Sequence, residues 1–171
     1  MSPDDPESLE LRTSLWLPFS PDRVWAACTT KEIVERWWSP PDLRTTLRKL
    51  EVRPGGAVHF HIRYVPTLLS PESAEAFRAA RIPIAFDLRG SLSEVVEERL
   101  LAFDLTLEIG RAGSGVDSST RLEFVPEGSG TRVTIIGTGK GTPHWATLGQ
   151  KNLEGQLGRL LEALKSTHPR P

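Results

Sequence analysis

Polar and apolar residues follow two different periods along this chain. Pro21, Val24, Trp25 and Cys28 have the i, i+3, i+4, i+7 spacing of one helix face. The stretch "AVHFHIR" at 57–63 instead alternates between apolar and polar residues, as expected for a strand with one buried face. The chain is therefore predicted to contain both helices and strands.

Helix starts are marked three times by Ser or Thr followed by Pro, which suit the N-cap and the first helical position. The stretches "FSPDRVWAAC", "LSPESAEAFRAAR" and "GTPHWATLGQKNLEGQLGRLLEALK" predict a first helix, a helical insert near 70–81 and a long helix from about 143 to 165. One face of the last helix carries four leucines: Leu153, Leu157, Leu160 and Leu164.

A second short helix is predicted directly after the first. Thr29 and Glu32 have the spacing of a capping box, in which two side chains satisfy backbone N–H groups at a helix start. The stretch "ERWWSPPD" at 35–42 ends this helix, because a residue before proline avoids helical geometry.

About seven strands are predicted from "LELRTSLWL", "RTTLRKLEV", "AVHFHIR", two segments around "EER", "TRLEFV" and "TRVTIIG", with a hairpin turn at "EGSG", 127–130. This order predicts an α+β fold in which one curved antiparallel sheet wraps the last helix, with two short helices after the first strand. The expected inward face consists of Val58, Phe60, Ile62, Leu122, Phe124, Val133 and Ile135.

Length and charge limit the classes of protein to which this chain could belong. The 171 residues suit one domain, expected at 9–165 between flexible tails at 1–8 and 166–171. The 21 basic and 22 acidic residues are well mixed, so we expect no nucleic-acid partner. The start "MSPDDPESLE" lacks the pattern of a signal peptide and no apolar run is long enough for a membrane span, so we expect a cytoplasmic monomer or homodimer without membrane insertion.

Several motifs, taken in order, resemble a known family. They are "LPFSPDRVWAACTTKEIVERWWSPPDL", "LEVRPGGAVHFHIR", "GSLSEVVEERLLAF" and "EGSGTRVTI". Over about residues 9–165 the chain is similar to the START-like (SRPBCC) superfamily, in its branch of activators of heat-shock-protein-ninety ATPase homologues. The resemblance implies a helix-grip fold around an apolar cavity that binds lipids, polyketides or other hydrophobic molecules, or catalyses steps such as cyclisation on them. It transfers no catalytic residues.

One segment departs from the family pattern. Relatives usually have a short hairpin where this chain has residues 64–85, which include the predicted helical insert. The insert is either a lid, with Phe77 packed over the cavity mouth, or a surface decoration.

The adjacent tryptophans of "ERWWSPPD" also allow two interpretations. Either one packs into the core while its neighbour faces the cavity, or both belong to the core. Gly149 similarly either leaves space for a cavity or permits close packing of the helix on the sheet. The candidate cavity residues are Trp37, Trp38, Phe60, Ile62, Phe77, Phe86, Phe124, Trp145, Leu148 and Gly149.

Polar motifs give weaker signals. His59 and His61 could ligate zinc, but spacing identifies no third ligand, and a solvated sheet face is the favoured interpretation. Arg63 and Glu94 could form an ion pair across the sheet or anchor a ligand carboxylate. The stretch "GTGKGTP" lacks phosphate-loop spacing, and Cys28 is expected to be inert core.

Three functions follow, in this order. The first is binding of a hydrophobic or amphipathic small molecule, which could be lipid-like, polyketide-like or aromatic. The second is a cyclase or hydrolase acting on such a molecule, although no catalytic pair is visible. The third is a co-chaperone that stimulates a heat-shock ATPase. We expect neither a metal nor a cofactor.

Overall fold

The computed structural model describes residues 7–65, 85–108, 115–141 and 143–167, together with positions 71, 74, 75 and 78. The strands in these ranges are β1 (Glu7–Leu17), β2 (Leu43–Leu50), β3 (Ala57–Tyr64), β4 (Ala85–Val96), β5 (Leu100–Glu108), β6 (Gly115–Glu127) and β7 (Gly130–Gly141). The helices are α1 (Pro21–Thr29), α2 (Lys31–Trp37) and α3 (Pro143–Ser166).

The seven strands of the described ranges form one antiparallel sheet in the order β1-β7-β6-β5-β4-β3-β2. Each strand from β2 onward pairs with its successor, and β1 pairs with β7. Helix α3 lies against β1 and β7 and also contacts α1 and α2. The predicted α+β architecture, with an antiparallel sheet around a long C-terminal helix, is therefore confirmed.

The predicted register of the sheet is also confirmed. On β3, Val58, Phe60 and Ile62 are buried, and they pair with Gly90, Leu88 and Phe86 of β4. On β6 and β7, the expected inward residues are no more than 3% exposed: Leu122, Phe124, Val133 and Ile135. Polar residues alternate with them, so one face of the sheet forms the core.

Turn chemistry explains where the strands reverse. The hairpin between β6 and β7 falls at the predicted "EGSG", where Gly128 has a φ of 60°. Glycine reaches this left-handed region without the steric penalty that a Cβ imposes.

The long helix α3 buries its leucine face as predicted. Leu153, Leu157, Leu160 and Leu164 are at most 6% exposed, so one face of the helix belongs to the core. Among the described residues, no helix is long and apolar enough to cross a membrane.

The junction between α1 and α2 differs from the prediction. The first helix starts at Ser20-Pro21 as expected, but the capping box of Thr29 and Glu32 is wrong. Because α1 continues to Thr29, the hydroxyl of Thr29 donates to the carbonyl oxygen of Trp25 at 2.8 Å. Thr30, with extended backbone angles, takes the N-cap position of α2 without a side-chain cap.

The predicted insert is described only at four positions. Pro71, Ala74, Glu75 and Arg78 are helical. The other positions of the insert, including Phe77, lie outside the described residues, so the lid stays a prediction.

Candidate functional site

Among the described residues, helix α3 lies against one side of the concave face of the sheet. It lies against β1 and β7, and a side chain at Gly137 of β7 would come within 3.5 Å of Leu153. Within the described ranges, the backbone of α3 makes no comparable approach to β3, β4 or β5. Side chains therefore line the interior on that side.

An aromatic cluster of Trp38, Phe60 and Phe103 forms this part of the wall. The ring of Trp38 stacks on Phe60 with centroids 4.3 Å apart and planes inclined by 19°. Phe103 of β5 lies 5.3 Å from Trp38 and 6.4 Å from Phe60. The cluster gives the interior a broad apolar surface beside the end of α2.

Both tryptophans of "ERWWSPPD" are buried, and they have different roles. Trp37 is 1% exposed, and its indole N–H donates to the carbonyl oxygen of Ala27 at 3.0 Å, which ties α2 to α1. Trp38 is 7% exposed and belongs to the aromatic cluster. The interpretation that both are core residues fits this burial.

The inward positions of β6 and β7 become small towards one end of the sheet. Beyond Leu122 and Ile135, the paired inward positions are Thr120 with Gly137 and Ser118 with Gly139. We call this the open end. At the same end, apolar or aromatic side chains of β2, β3 and β4 are only half-buried: Leu43, Tyr64, Phe86 and Leu88.

Tyr64 and Phe86 mark the open end on the side of β3 and β4. Their ring centroids lie 6.2 Å apart. Partial burial and the nearby charge of Asp42 both raise the pKa of the Tyr64 phenol, so it stays protonated at neutral pH.

Two side chains of α3 hold the end of α2. Helix C-termini leave carbonyl groups without intrahelical partners, and the prolines that follow here have no N–H groups. Gln156 Nε2 donates to the carbonyl oxygen of Trp38 at 2.8 Å, and Arg159 Nε donates to that of Trp37 at 3.1 Å. These hydrogen bonds fix the aromatic cluster against α3.

The same two side chains each retain a buried polar atom without a partner. Gln156 Oε1 and Arg159 Nη2 accept or donate no hydrogen bond among the described residues. Burial lowers the pKa of the Arg159 guanidinium, while the charge of Asp42 acts in the opposite direction. Sequence reasoning missed this pair, although a glutamine three residues after Leu153 on a leucine face was a visible signal.

The structure brings together only some of the predicted cavity residues. Ile62 is buried on β3 beside Phe60, whereas Phe124 packs edge-on against Trp25 at 5.7 Å, away from the aromatic cluster. At Gly149, a Cβ would lie 2.7 Å from Leu11 Cδ1, which favours close packing on β1 as the reason for this glycine. Three side chains lie outside the described residues: Phe77, Trp145 and Leu148.

The histidine pair lies on the outer face of the sheet, as expected, and meets a carboxylate there. His59 Nε2 and His61 Nδ1 lie 2.7 and 3.2 Å from the same oxygen, Asp87 Oδ1. The hydrogen bond from His59 lowers the pKa of Asp87. Both ring nitrogens lie at hydrogen-bond distance from the carboxylate oxygen itself, and the described part of the chain holds no group of three His, Cys, Asp or Glu residues that could hold a metal ion.

The predicted pairing of Arg63 with Glu94 is wrong. Arg63 lies opposite Ala85, and Glu94 forms an ion pair with Arg121 at 3.1 Å. The sheet register places Glu94 beyond the end of β3, because Ala57 already pairs with Ser91. Glu94 and Arg121 line an open groove of about 390 Å³ on the outer face, where most of the lining residues are charged or carry hydroxyl groups.

Cys28 is buried core, as predicted. It is fully buried in α1, and desolvation raises the pKa of its thiol. A thiol that stays protonated is a poor nucleophile, so Cys28 takes no part in the site.

The antiparallel sheet, the long α3 and the two short helices together define a helix-grip fold. The chain belongs to the family described as polyketide cyclase/dehydrase and lipid transport, whose model matches residues 9–168. This match confirms the START-like resemblance.

Solved structures show the same fold. Protein CV1439 from Chromobacterium violaceum is 16% identical with a TM-score of 0.70, over 92% of this chain and 98% of that one. Ms6760 from Mycobacterium smegmatis is 18% identical with a TM-score of 0.68, over 94% and 93%. DynU16, from the dynemicin biosynthetic locus, is 15% identical with a TM-score of 0.60, over 92% of this chain and 47% of that one. No curated protein matches the sequence.

Proposed function

We propose that this protein binds a hydrophobic or amphipathic small molecule between α3 and strands β3 to β5. The observation that carries this proposal is the one-sided packing of α3, which leaves the opposite wall to the aromatic cluster. Ligand sites of this kind are concave and mostly apolar, with few polar groups. The family description, which covers cyclisation and lipid transport, supports the same class of ligand.

The ligand enters at the open end. There Gly137 of β7 contacts Leu153 of α3, and the next inward position is Gly139, so little side-chain volume of β7 lies beyond that contact. The half-buried Phe86 and Leu88 supply an apolar rim that a ligand can cover. Residues 64–85, with Phe77, are a candidate lid for this entrance, and Phe77→Ala is expected to accelerate exchange of a hydrophobic probe.

A catalytic role is the second candidate, favoured by Arg159. Its half-buried guanidinium could stabilise negative charge that develops on a carbonyl oxygen during a cyclisation. Catalysis would also need a group that exchanges protons near neutral pH, and the aromatic cluster and its polar neighbours Gln156 and Arg159 include none. Binding is therefore the stronger proposal, and stimulation of a heat-shock ATPase remains a prediction without structural support.

Binding is tested with a neutral hydrophobic probe, N-phenylnaphthylamine, whose fluorescence rises in an apolar site. Leu88→Glu places a charge on the open-end rim and is expected to lower probe affinity by about tenfold or more, since a charge beside an apolar ligand must be desolvated. Val125→Glu is the matched control, because Val125 is 56% exposed. Equal affinities in the two variants, or no binding by the native protein, would contradict the proposal.

Native mass spectrometry of freshly purified protein complements this titration. A bound molecule retained from expression is expected to add a discrete mass that organic solvent removes. The mass would then limit the elemental composition of the compound.

A further inference from the structure

Two buried polar atoms on α3 form an incomplete hydrogen-bonding pair. Gln156 Oε1 is an acceptor and Arg159 Nη2 is a donor, and neither has a partner among the described residues. They therefore do not bond to each other either. Buried polar groups are nearly always satisfied by protein, water or a ligand, so this pair indicates that a further group belongs there.

Both side chains are tied to the end of α2, at the residue that contributes Trp38 to the aromatic cluster and at the residue before it. Gln156 is 4% exposed, and it shares the inward stripe of α3 with Leu153 and Leu160, at three and four residues' distance. One other polar atom of each terminal group is already bonded: Gln156 Nε2 to the carbonyl of Trp38, and Arg159 Nε to that of Trp37. Because those carbonyls are adjacent, the two free atoms are held in the same region.

The position of Arg159 depends on its neighbours. A Cβ at Gly155 would lie 2.7 Å from Arg159 Nη1, so the glycine makes room for the guanidinium to lie along the helix. Among the described residues, the guanidinium forms its hydrogen bond through Nε, and the charge of Asp42 acts on it without such a bond. The guanidinium consequently keeps the capacity to bind another oxygen.

One acceptor next to one cationic donor selects a particular ligand group. A hydroxyl group satisfies both, because its oxygen accepts from Arg159 and its hydrogen is donated to Gln156. A carboxylate has no hydrogen to donate, so its negative charge would lie against the partial negative charge of Gln156 Oε1. A hydrocarbon leaves both atoms unpaired.

We propose that Gln156 and Arg159 form an anchor for the hydroxyl group of a phenolic ligand whose aromatic ring lies against Trp38 and Phe60. This inference rests on the proposed function, since it names the polar end of the ligand bound in the same interior. Planar rings suit the stacked surface of the aromatic cluster, and a hydroxyl on the ring edge reaches α3.

Two probes of nearly equal shape test the anchor. β-Naphthol and β-methylnaphthalene differ in a hydroxyl and a methyl group, and their affinities are measured by fluorescence titration. Native protein is expected to prefer β-naphthol by about tenfold, the effect of satisfying a buried donor and acceptor. The preference, measured as the ratio of the two affinities within each variant, is expected to disappear in Gln156→Leu and in Arg159→Met. Because both probes meet the same aromatic cluster, a change in that cluster affects both affinities and leaves the ratio to report the anchor.

Gln150→Leu is the matched control on the same helix. Gln150 Nε2 donates to the carbonyl of Arg12 and to Glu154, outside the interior, so this variant is expected to retain the preference. If Gln156→Leu fails to fold, the Arg159→Met variant and the comparison of the two probes in native protein still test the anchor.

The outcomes separate the anchor from the binding function. Failure of both probes to bind the native protein would contradict the proposed function itself. Equal binding of both probes, or a preference that survives both substitutions, would overturn the anchor and leave apolar binding in place. Tighter binding of β-naphthoate than of β-naphthol would show that the anchor takes a carboxylate, and would overturn the assignment to a hydroxyl.

Discussion

The two ends of the sheet differ although the same strands build both. At one end, which we call the closed end, Leu122 and Phe124 of β6 face Val133 and Ile135 of β7, and all four are buried. Further along the same two strands, the inward positions are hydroxyl residues and glycines. The change in side-chain size within a pair of strands indicates that one end provides stability and the other provides space.

Helices strengthen this contrast. Helix α1 closes the closed end with Val24 and Cys28, which are both 0% exposed. The buried hydroxyl of Thr131 at this end has a hydrogen-bond partner, since Thr131 Oγ1 donates to the carbonyl oxygen of Phe19 at 2.8 Å. Where α3 crosses the end of α2, in contrast, two buried polar atoms have no partner among the described residues.

The largest expected difference between the ends is in thiol labelling. Cys28 at the closed end is buried with a raised pKa, so it reacts only through unfolding. A cysteine introduced as Leu88→Cys in a Cys28→Ser background is expected to react at least about a thousandfold faster with a maleimide. The rates are read by mass spectrometry, and similar rates would show that the open end is as closed as the other.

Stability measurements give the next difference. Leu101→Ala at the closed end is expected to lower the free energy of unfolding by about 2–5 kcal/mol, since Leu101 is fully buried. Leu88→Ala, at a half-buried position, is expected to lower the free energy of unfolding by about 1 kcal/mol. Urea denaturation followed by tryptophan fluorescence compares the two, and equal losses would remove the thermodynamic distinction.

Filling the open end tests its role in binding. A Cβ at Gly139 would make only ordinary contacts, the nearest at 3.8 Å, so Gly139→Val is expected to fold and to lower N-phenylnaphthylamine affinity by about tenfold. Thr138→Val, at the neighbouring outward position, is the control and is expected to bind like the native protein. If both variants bind equally, the space beside Gly139 is not used by the ligand.

The smallest expected effect belongs to the outer face, away from both ends. The hydrogen bond from His59 lowers the pKa of Asp87 in the folded protein below its ordinary value of 3.8. A depressed carboxyl pKa stabilises the fold at pH above the unfolded value, and this stabilisation disappears as pH falls through the folded value. Asp87→Asn is expected to lower the free energy of unfolding by roughly 0.5 kcal/mol at neutral pH and to leave it unchanged at strongly acidic pH. Urea denaturation at the two pH values measures both. A cost that is constant with pH would show that the carboxylate charge is not its source.

Patterns local in sequence predicted most of the fold. Alternation in "AVHFHIR" identified the buried face of β3, and "EGSG" identified the β6–β7 hairpin. The capping box at Thr29 failed because the extent of α1, which sequence spacing does not reveal, decided where that hydroxyl would bond. The pairing of Arg63 with Glu94 failed because it depended on strand register, which also shifts at a bulge between Leu92 and Glu94.

The site was less predictable than the fold. Trp38 and Phe60 were identified as candidates from their size and placement, but Phe103 and the α3 pair of Gln156 and Arg159 were not. Their roles arise from where α3 crosses the end of α2, a contact between residues more than a hundred positions apart. The glycines of "IIGTGKG" recur every second residue, a signal of small inward positions that periodicity could have revealed.

The most direct test is methyl NMR of the protein with labelled Leu, Ile and Val residues during a titration with β-naphthol. Ligand bound at the open end is expected to shift the methyl signals of Ile62, Leu88 and Leu105, the last of which pairs with Ser118 of that end, and to show intermolecular contacts with them. The signals of Leu17, Leu101 and Val133 at the closed end are expected to stay in place. Contacts confined to the closed end or to the outer face of the sheet, or no shifts at a saturating concentration, would contradict a ligand site between α3 and the aromatic cluster.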